Sequence, residues 1–339
     1  YSAIANHRRP CENACKVKAI RMGEDNCASI EAGNCIGCGA CAYQCPFGAI
    51  QDKSYLLEAI DIVRGSERGK QYKAYAIVAP SISSQFGSGK LGQMVTALKR
   101  LGFFSVVEAA LGADMVAWQE ARELAQKGFL TTSCCPAFVD YVQKGFPELA
   151  PHISHNLSPM AELARYLKKT DPTAKAVFIG PCTAKKQERK RPDVAPFVDC
   201  VLTFEELQAW IDSRDIDLTT LPEDVLDNAS FFGRVFARSS GVTDAVRQAL
   251  VEQGGDFVVN PAVCDGIEQC RVALLKKSKG VLKENFIAGM ACVGGCIGGA
   301  GCLTHGDKNK SDVDAYGRLA YEKTIGDALA QCGYPEERA

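Results

Sequence analysis

The chain has 339 residues, 47% of them hydrophobic and 23% charged, with a formal charge of -1. That is the composition of an ordinary globular protein, with no long basic run to follow a nucleic-acid backbone, no apolar run near the roughly 20 residues of a membrane helix, and no signal-peptide core. A cytoplasmic location without nucleic-acid or membrane partners is expected, and the seventeen cysteines, grouped at ligand spacings, read as metal binding rather than disulfide pairing.

Residues 1–52 are cysteine-dense and too poor in apolar periodicity to build a core without metal staples. Within them, Cys35-x2-Cys38-x2-Cys41-x3-Cys45-Pro46 wraps three thiolates round one 4Fe-4S cube and sends the fourth cysteine to another cluster. A structural zinc site is the competing reading. CENACKVKAI, from Cys11 to Ile20, lays over CAYQCPFGAI, from Cys41 to Ile50, in the internal two-fold pattern of a ferredoxin with two clusters. Cys15, the counterpart of Cys45, therefore completes the cube of Cys35, Cys38 and Cys41. Cys45 and Cys11 are assigned to the second cluster. The positions three and six before Cys11 are Arg8 and Ala5, so Cys27 is the candidate third ligand, and the fourth is left between His7 and sequence preceding Tyr1.

Residues 53–72 read as a linker, with helical spacing of Leu56, Leu57, Ile60 and Val63 followed by a charged, glycine-containing stretch. From Lys73, short apolar runs alternate with amphipathic segments: AYAIVAP, LGQMVTALKRLG, FSVVEAA, a helix through Ala125, FLTTS, and later AVFIGP and CVLTF. Residues 210–232 read as connecting structure with a short helix. The alternation predicts an α/β domain over residues 73–339, with parallel sheets around a central metal cleft at the carboxyl ends of the strands. A small ferredoxin-like α+β iron-sulfur domain precedes it.

The later cysteines fall where such strands end, in TSCCP, GPCTAKKQE and MACVGGC, and four of their thiolates could hold a further cube. Adjacent side chains point apart, so one of Cys134 and Cys135 is a ligand and the other is free for chemistry. These three segments, in this order, resemble the signatures of the iron-only, or FeFe, hydrogenases, and the earlier runs resemble the accessory-cluster domain many of them carry. The resemblance implies a catalytic domain with an H-cluster, a 4Fe-4S cube bridged by one cysteine sulfur to a two-iron unit with carbon monoxide, cyanide and a dithiolate. Its cube ligands would be Cys135, Cys182, Cys292 and Cys296, with Cys296 as the bridge. Lys185 would donate to a cyanide, while Lys186 reads as a solvated surface lysine. Pro80 and Ser81 would line the distal iron, Met290 would cover the bridging ligand, and Gly294 and Gly295 would direct N–H groups at sulfide.

The resemblance also implies a proton relay to Cys134. GADMVAWQEARELAQKG resembles the family's acidic helix, with Glu120 and Glu123 on one face, and Ser158 in LSPM is matched to the linking serine. The expected order is Glu123, Ser158, Glu120, an ordered water, Cys134. Gly180, Ala288, Ala300 and Cys302 depart from residues common in the family. The activity implied is reversible reduction of protons to molecular hydrogen. Electrons would come from a ferredoxin-like carrier through two accessory 4Fe-4S clusters, and dedicated maturation proteins would build the two-iron unit. The rival readings are a hydrogenase-like iron-sulfur assembly or electron-transfer protein lacking that unit, and a hydrogen sensor.

Overall fold

The structure is a computed structural model that describes residues 9–24, 27–87 and 89–334. Its first part reproduces the internal repeat. Cys11 lies in helix α1 (Pro10–Ala14) and Cys41 in helix α2 (Ala40–Tyr43), while Cys15 and Cys45 follow each helix at matching positions. Helix α1 starts at Pro10, whose missing N–H is no loss in a first turn, and Glu12 reaches back to the Arg9 amide at 3.0 Å. Between the helices, strands β1 (Ile20–Met22) and β2 (Ala28–Ile30) form an antiparallel pair.

Helix α3 (Leu56–Gly65) was expected to be part of a linker, and it packs instead on the larger domain. It buries Ala59 and Val63, Tyr55 ahead of it donates its amide to Glu206, and Glu58 pairs with Arg189 at 2.8 Å.

The α/β alternation is built as two parallel sheets. Strands β3 (Ala74–Val78), β4 (Ser105–Glu108), β6 (Lys175–Gly180) and β7 (Cys200–Thr203) lie in the order β4-β3-β6-β7. Strands β5 (Leu130–Thr131), β8 (Pro261–Asp265) and β9 (Phe286–Met290) lie in the order β5-β9-β8. Ala76 stands between Val106 and Val177 in register, and all five residues of β9 are buried. These continuous apolar runs are what a sheet covered on both faces requires.

Helix α4 (Leu91–Leu101) joins β3 to β4, and α5 (Ala109–Lys127) leaves β4 with residues 109–117 buried throughout. Helices α6 (Pro136–Gly145), α7 (Pro159–Thr170), α8 (Ala184–Glu188) and α9 (Phe204–Asp212) follow. At the root of α5, Arg234 is 1% exposed and grips Glu108 through two bonds of 2.8 Å, with Asp227 at 2.7 Å. Among the described residues no helix is long and apolar enough to cross a membrane.

Candidate metal centre

Four thiols come to one place from three chain segments that leave the sheets at strand ends. Cys135 caps α6, Cys182 follows β6, Cys292 follows β9, and Cys296 opens a short 3-10 turn to Gly298. Their acidity records the convergence. Burial pushes Cys182 up to about 11, and the charge of Cys135 adds to the shift. Burial likewise raises Cys292 and Cys296, and each then feels both Cys182 and Cys135. A buried group of mutually repelling thiolates is stabilised by metal cations, which replace the protons. Among the described residues, no three His, Cys, Asp or Glu groups close round a point tightly enough for one ion.

The residues around this set are polar in a specific way. Lys185 is 7% exposed, and its Nζ reaches Glu188 Oε2 at 2.7 Å and the Cys134 carbonyl at 3.2 Å. Burial works against its charge, but Glu188 and Cys182 hold it above the ordinary lysine value. Ser81, after Pro80 at the end of β3, has a buried hydroxyl with no protein partner. Met290 ends β9 and is buried. Gly294 and Gly295 take positive φ of 85° and 83°, but their amides go elsewhere than expected. The Gly294 N–H donates to Asp265 Oδ1 at 2.5 Å, at the end of β8, and that of Gly295 to the Cys292 carbonyl at 3.2 Å.

The accessory quartet is also assembled. Burial pushes Cys38 up to about 11, and Cys41, Cys15 and Cys35 add to the shift; Cys41 is raised by burial and by Cys35 and Cys15. Two backbone amides already face sulfur, Ala19 to Cys15 at 3.1 Å and Gly37 to Cys35 at 3.4 Å. The remaining cysteines are placed differently. Cys45 is held below the usual thiol value by the amides of Phe47 and Ile50, Cys11 is buried in α1, and Cys27 is exposed at the β1–β2 turn. His7 lies outside the described residues. The quartet sits against the four-thiol set, since the charge of Cys38 is among those that raise Cys292.

Of the residues expected to form a relay, Glu123 has Ser154 rather than Ser158 beside it. Glu120 is fully buried on α5, and burial raises its carboxyl to about 8, against the opposing pull of Ser154. Cys134 is raised by burial first and by the charge of Glu120 next. Glu123 accepts from Ser154 Oγ at 3.0 Å, whereas Ser158 caps α7 by accepting from the Ala161 amide at 3.4 Å. The serine bonded to Glu123 is thus Ser154, not Ser158. Its place is fixed by tertiary structure, a bridge between Thr131 and Ile153 and a bond from the Ser154 amide to the Thr131 carbonyl at 2.8 Å.

Comparison with known proteins follows this geometry. The iron-only hydrogenase large subunit, C-terminal domain family matches residues 72–300. The chain belongs to that family. The LdpA Fe-S cluster-binding domain family matches residues 5–56. The chain is 27% identical over 331 residues to the NADP-reducing hydrogenase subunit HndD of Solidesulfovibrio fructosivorans, covering 80% of this chain and 57% of that protein. It is 30% identical over 361 residues to the periplasmic Fe hydrogenase large subunit of Nitratidesulfovibrio vulgaris, covering 80% and 85%. A segment of 91 residues is 41% identical to the cytosolic Fe-S cluster assembly factor NAR1 of Kluyveromyces lactis, covering 27% and 19%. A solved FeFe-hydrogenase HydA(deltaEFG) shares the fold, with TM-score 0.67 at 21% identity over 82% of this chain and 93% of that one.

Two departures of this chain from residues common in the family have local causes. A side chain at Gly180 would stand 2.7 Å from the Phe178 ring and 3.0 Å from Ala79, so Phe178 occupies the space. The methyl of Ala300 packs on the accessory loop at Gly39, which has φ of 74°. Lys186 corrects another expectation. It is 4% exposed, pairs with Asp52 at 2.5 Å and Glu206 at 2.7 Å, and donates to the Lys53 carbonyl at 3.0 Å, because the segment before α3 folds over it. Glu188 was missed altogether, although its spacing of three from Lys185 on a helix is the signal of such a pair.

Proposed function

We propose that the chain catalyses reversible reduction of protons to molecular hydrogen at an H-cluster. Its cube would be held by Cys135, Cys182, Cys292 and Cys296, with Cys296 bridging to a two-iron unit. The observation that carries this reading is the fifth thiol. Cys134 is buried beside the four, close enough to Glu120 to feel its charge, and its carbonyl takes a bond from Lys185. The buried Lys185 cation and the unpartnered Ser81 hydroxyl suit a unit that presents anionic ligands.

When bound, the H-cluster would supply the redox-active iron at which electrons and protons combine. The chain's own residues hold and move the proton. Glu120, raised by burial, keeps it near working pH, Cys134 Sγ carries it at the site, and Ser154 joins Glu120 to Glu123. Met290 and the apolar strand β9 keep bulk water out. Electrons would enter from a ferredoxin-like carrier and pass through the quartet of Cys15, Cys35, Cys38 and Cys41, with Cys11, Cys27 and Cys45 serving a second accessory 4Fe-4S cluster. Dedicated maturation proteins would install the two-iron unit.

A second reading, an iron-sulfur assembly protein without that unit, takes support from the NAR1 segment. Cys134 and the buried Lys185–Glu188 pair have no task in it. Infrared spectroscopy of the matured protein separates the two. Carbonyl and cyanide bands with hydrogen evolution are expected, and their absence after maturation favours the assembly reading.

A further inference from the structure

The turn from Cys292 to Cys296 is anchored from outside itself. Gly294, at its centre, donates its N–H to Asp265 Oδ1 at 2.5 Å, and its carbonyl accepts from the Ser239 amide at 3.0 Å. The Ser239 hydroxyl donates to the same Asp265 oxygen at 2.7 Å. Asp265 is in turn held in place. It ends β8 in register with Met290 of β9, and its amide donates to Gln269 Oε1 at 3.0 Å.

Asp265 brings a charge as well as an acceptor. Arg238, next to Ser239, is taken by Asp244 at 3.1 Å and Asp314 at 2.6 Å, and among the described residues no cation pairs with Asp265. Asp265 lines one cavity of about 1190 Å³ with Cys292 and the accessory ligand Cys38. The other charges on its walls are mixed, Lys16 and Lys310 against Glu268 and Asp307. An amide directed at a cluster sulfur favours the reduced, more negative cluster, and a nearby negative charge opposes it. The accessory quartet has two such amides, Ala19 on Cys15 and Gly37 on Cys35. On the catalytic side the Gly294 amide is withheld, and the group that withholds it is an anion.

We propose that Asp265 is a positioning residue that lowers the reduction potential of the cube held by Cys135, Cys182, Cys292 and Cys296. It does so by setting a carboxylate beside the Cys292–Cys296 turn and by keeping the Gly294 amide off sulfur. The step it governs is one electron entering the cube from the accessory cluster, with no bond made or broken and no proton moved. A cube reduced at lower potential is a stronger electron donor toward protons. The inference rests on the cube of the proposed function and not on its two-iron unit.

The test is a redox titration, followed by electron paramagnetic resonance, of the chain loaded with iron-sulfur clusters but lacking the two-iron unit. The signal of the cube is assigned by its loss in Cys182→Ser. Asp265→Asn keeps an oxygen for Gly294 and Ser239 and removes the charge. It should shift the reduction equilibrium at least about tenfold toward the reduced form, a rise of about 59 mV for one electron. Asp265→Ala also frees the amide and should shift it at least as far. Ser239→Ala keeps the charge and the amide bond and should stay within about twofold, as should the accessory signal in every variant. A shift under about twofold in Asp265→Asn, or one of equal size in the accessory cluster, overturns the proposal. Loss of the cube from both Asp265 variants overturns it too, by making the residue a support for the loop alone. A parent chain that binds no cube defeats the reading of the four thiols and this inference with it, whereas a cube indifferent to Asp265 defeats this inference alone.

Discussion

Ser154 donates its hydroxyl to Glu123 at 3.0 Å, while Ser158, four residues further along the chain, spends its hydroxyl on the amide of Ala161. The two serines therefore answer differently to the same substitution. Ser154→Ala removes the group between the two relay glutamates, and the hydrogen evolution rate of matured protein should fall by about 100-fold. Ser158→Ala loses a helix cap, costs about 1 kcal/mol in urea unfolding, and leaves the rate unchanged. The reverse pattern would return the relay to Ser158.

Glu120 makes stability depend on pH in a definite direction. Its carboxyl moves from an ordinary 4.5 to about 8 on folding because burial disfavours the charged form. Between those values the folded state holds more protons than the unfolded state, so this group's contribution falls as pH rises through the window. Glu120→Gln removes that slope. Wild type should lose stability relative to the variant between about pH 5 and about pH 8.5, as read by urea midpoints. Asp114, also buried and raised to about 8, is present in both proteins and cancels from the difference.

The strand and helix order was readable because the apolar runs AYAIV and KAVFIG read as buried strands, as β3 and β6 are. Ser158 was chosen by matching LSPM to the family's serine, but it stands at the start of α7 and its hydroxyl caps that helix. Ser154 owes its position to the bridge at Ile153, which nothing in its neighbours announces. Lys185 and Lys186 stand side by side in sequence. Only the tertiary structure shows that both are buried, Lys185 on Glu188 and Lys186 on Asp52.

Lys186 ties the segment before α3 to the catalytic domain through Asp52, Glu206 and the Lys53 carbonyl. Lys186→Ala leaves Glu206, which is mostly buried, without its cation. The cost should be about 3 kcal/mol in urea unfolding, with faster proteolysis between residues 45 and 56. A change below about 0.5 kcal/mol would show the pair to be a surface contact.

Gly39 sets how closely the accessory quartet approaches the catalytic thiols. A Cβ there would lie 2.5 Å from Thr183 Oγ1 and 2.6 Å from the Ala300 methyl, on a backbone with φ of 74°. Thr183 follows Cys182 and also donates to the Gly37 carbonyl at 2.8 Å. Gly39→Ala must therefore push the Cys35–Cys41 loop away from the side of Cys182 and Cys292, without removing a ligand. Electron delivery from an external donor should slow by about tenfold, equivalent to about 1.4 kcal/mol of barrier, with iron content unchanged. Hydrogen–deuterium scrambling, which needs no external electron, should stay within about twofold, because the relay at Glu120 and Cys134 is untouched. Equal loss of both activities would mean that Gly39 supports the catalytic thiols themselves and not the electron path into them.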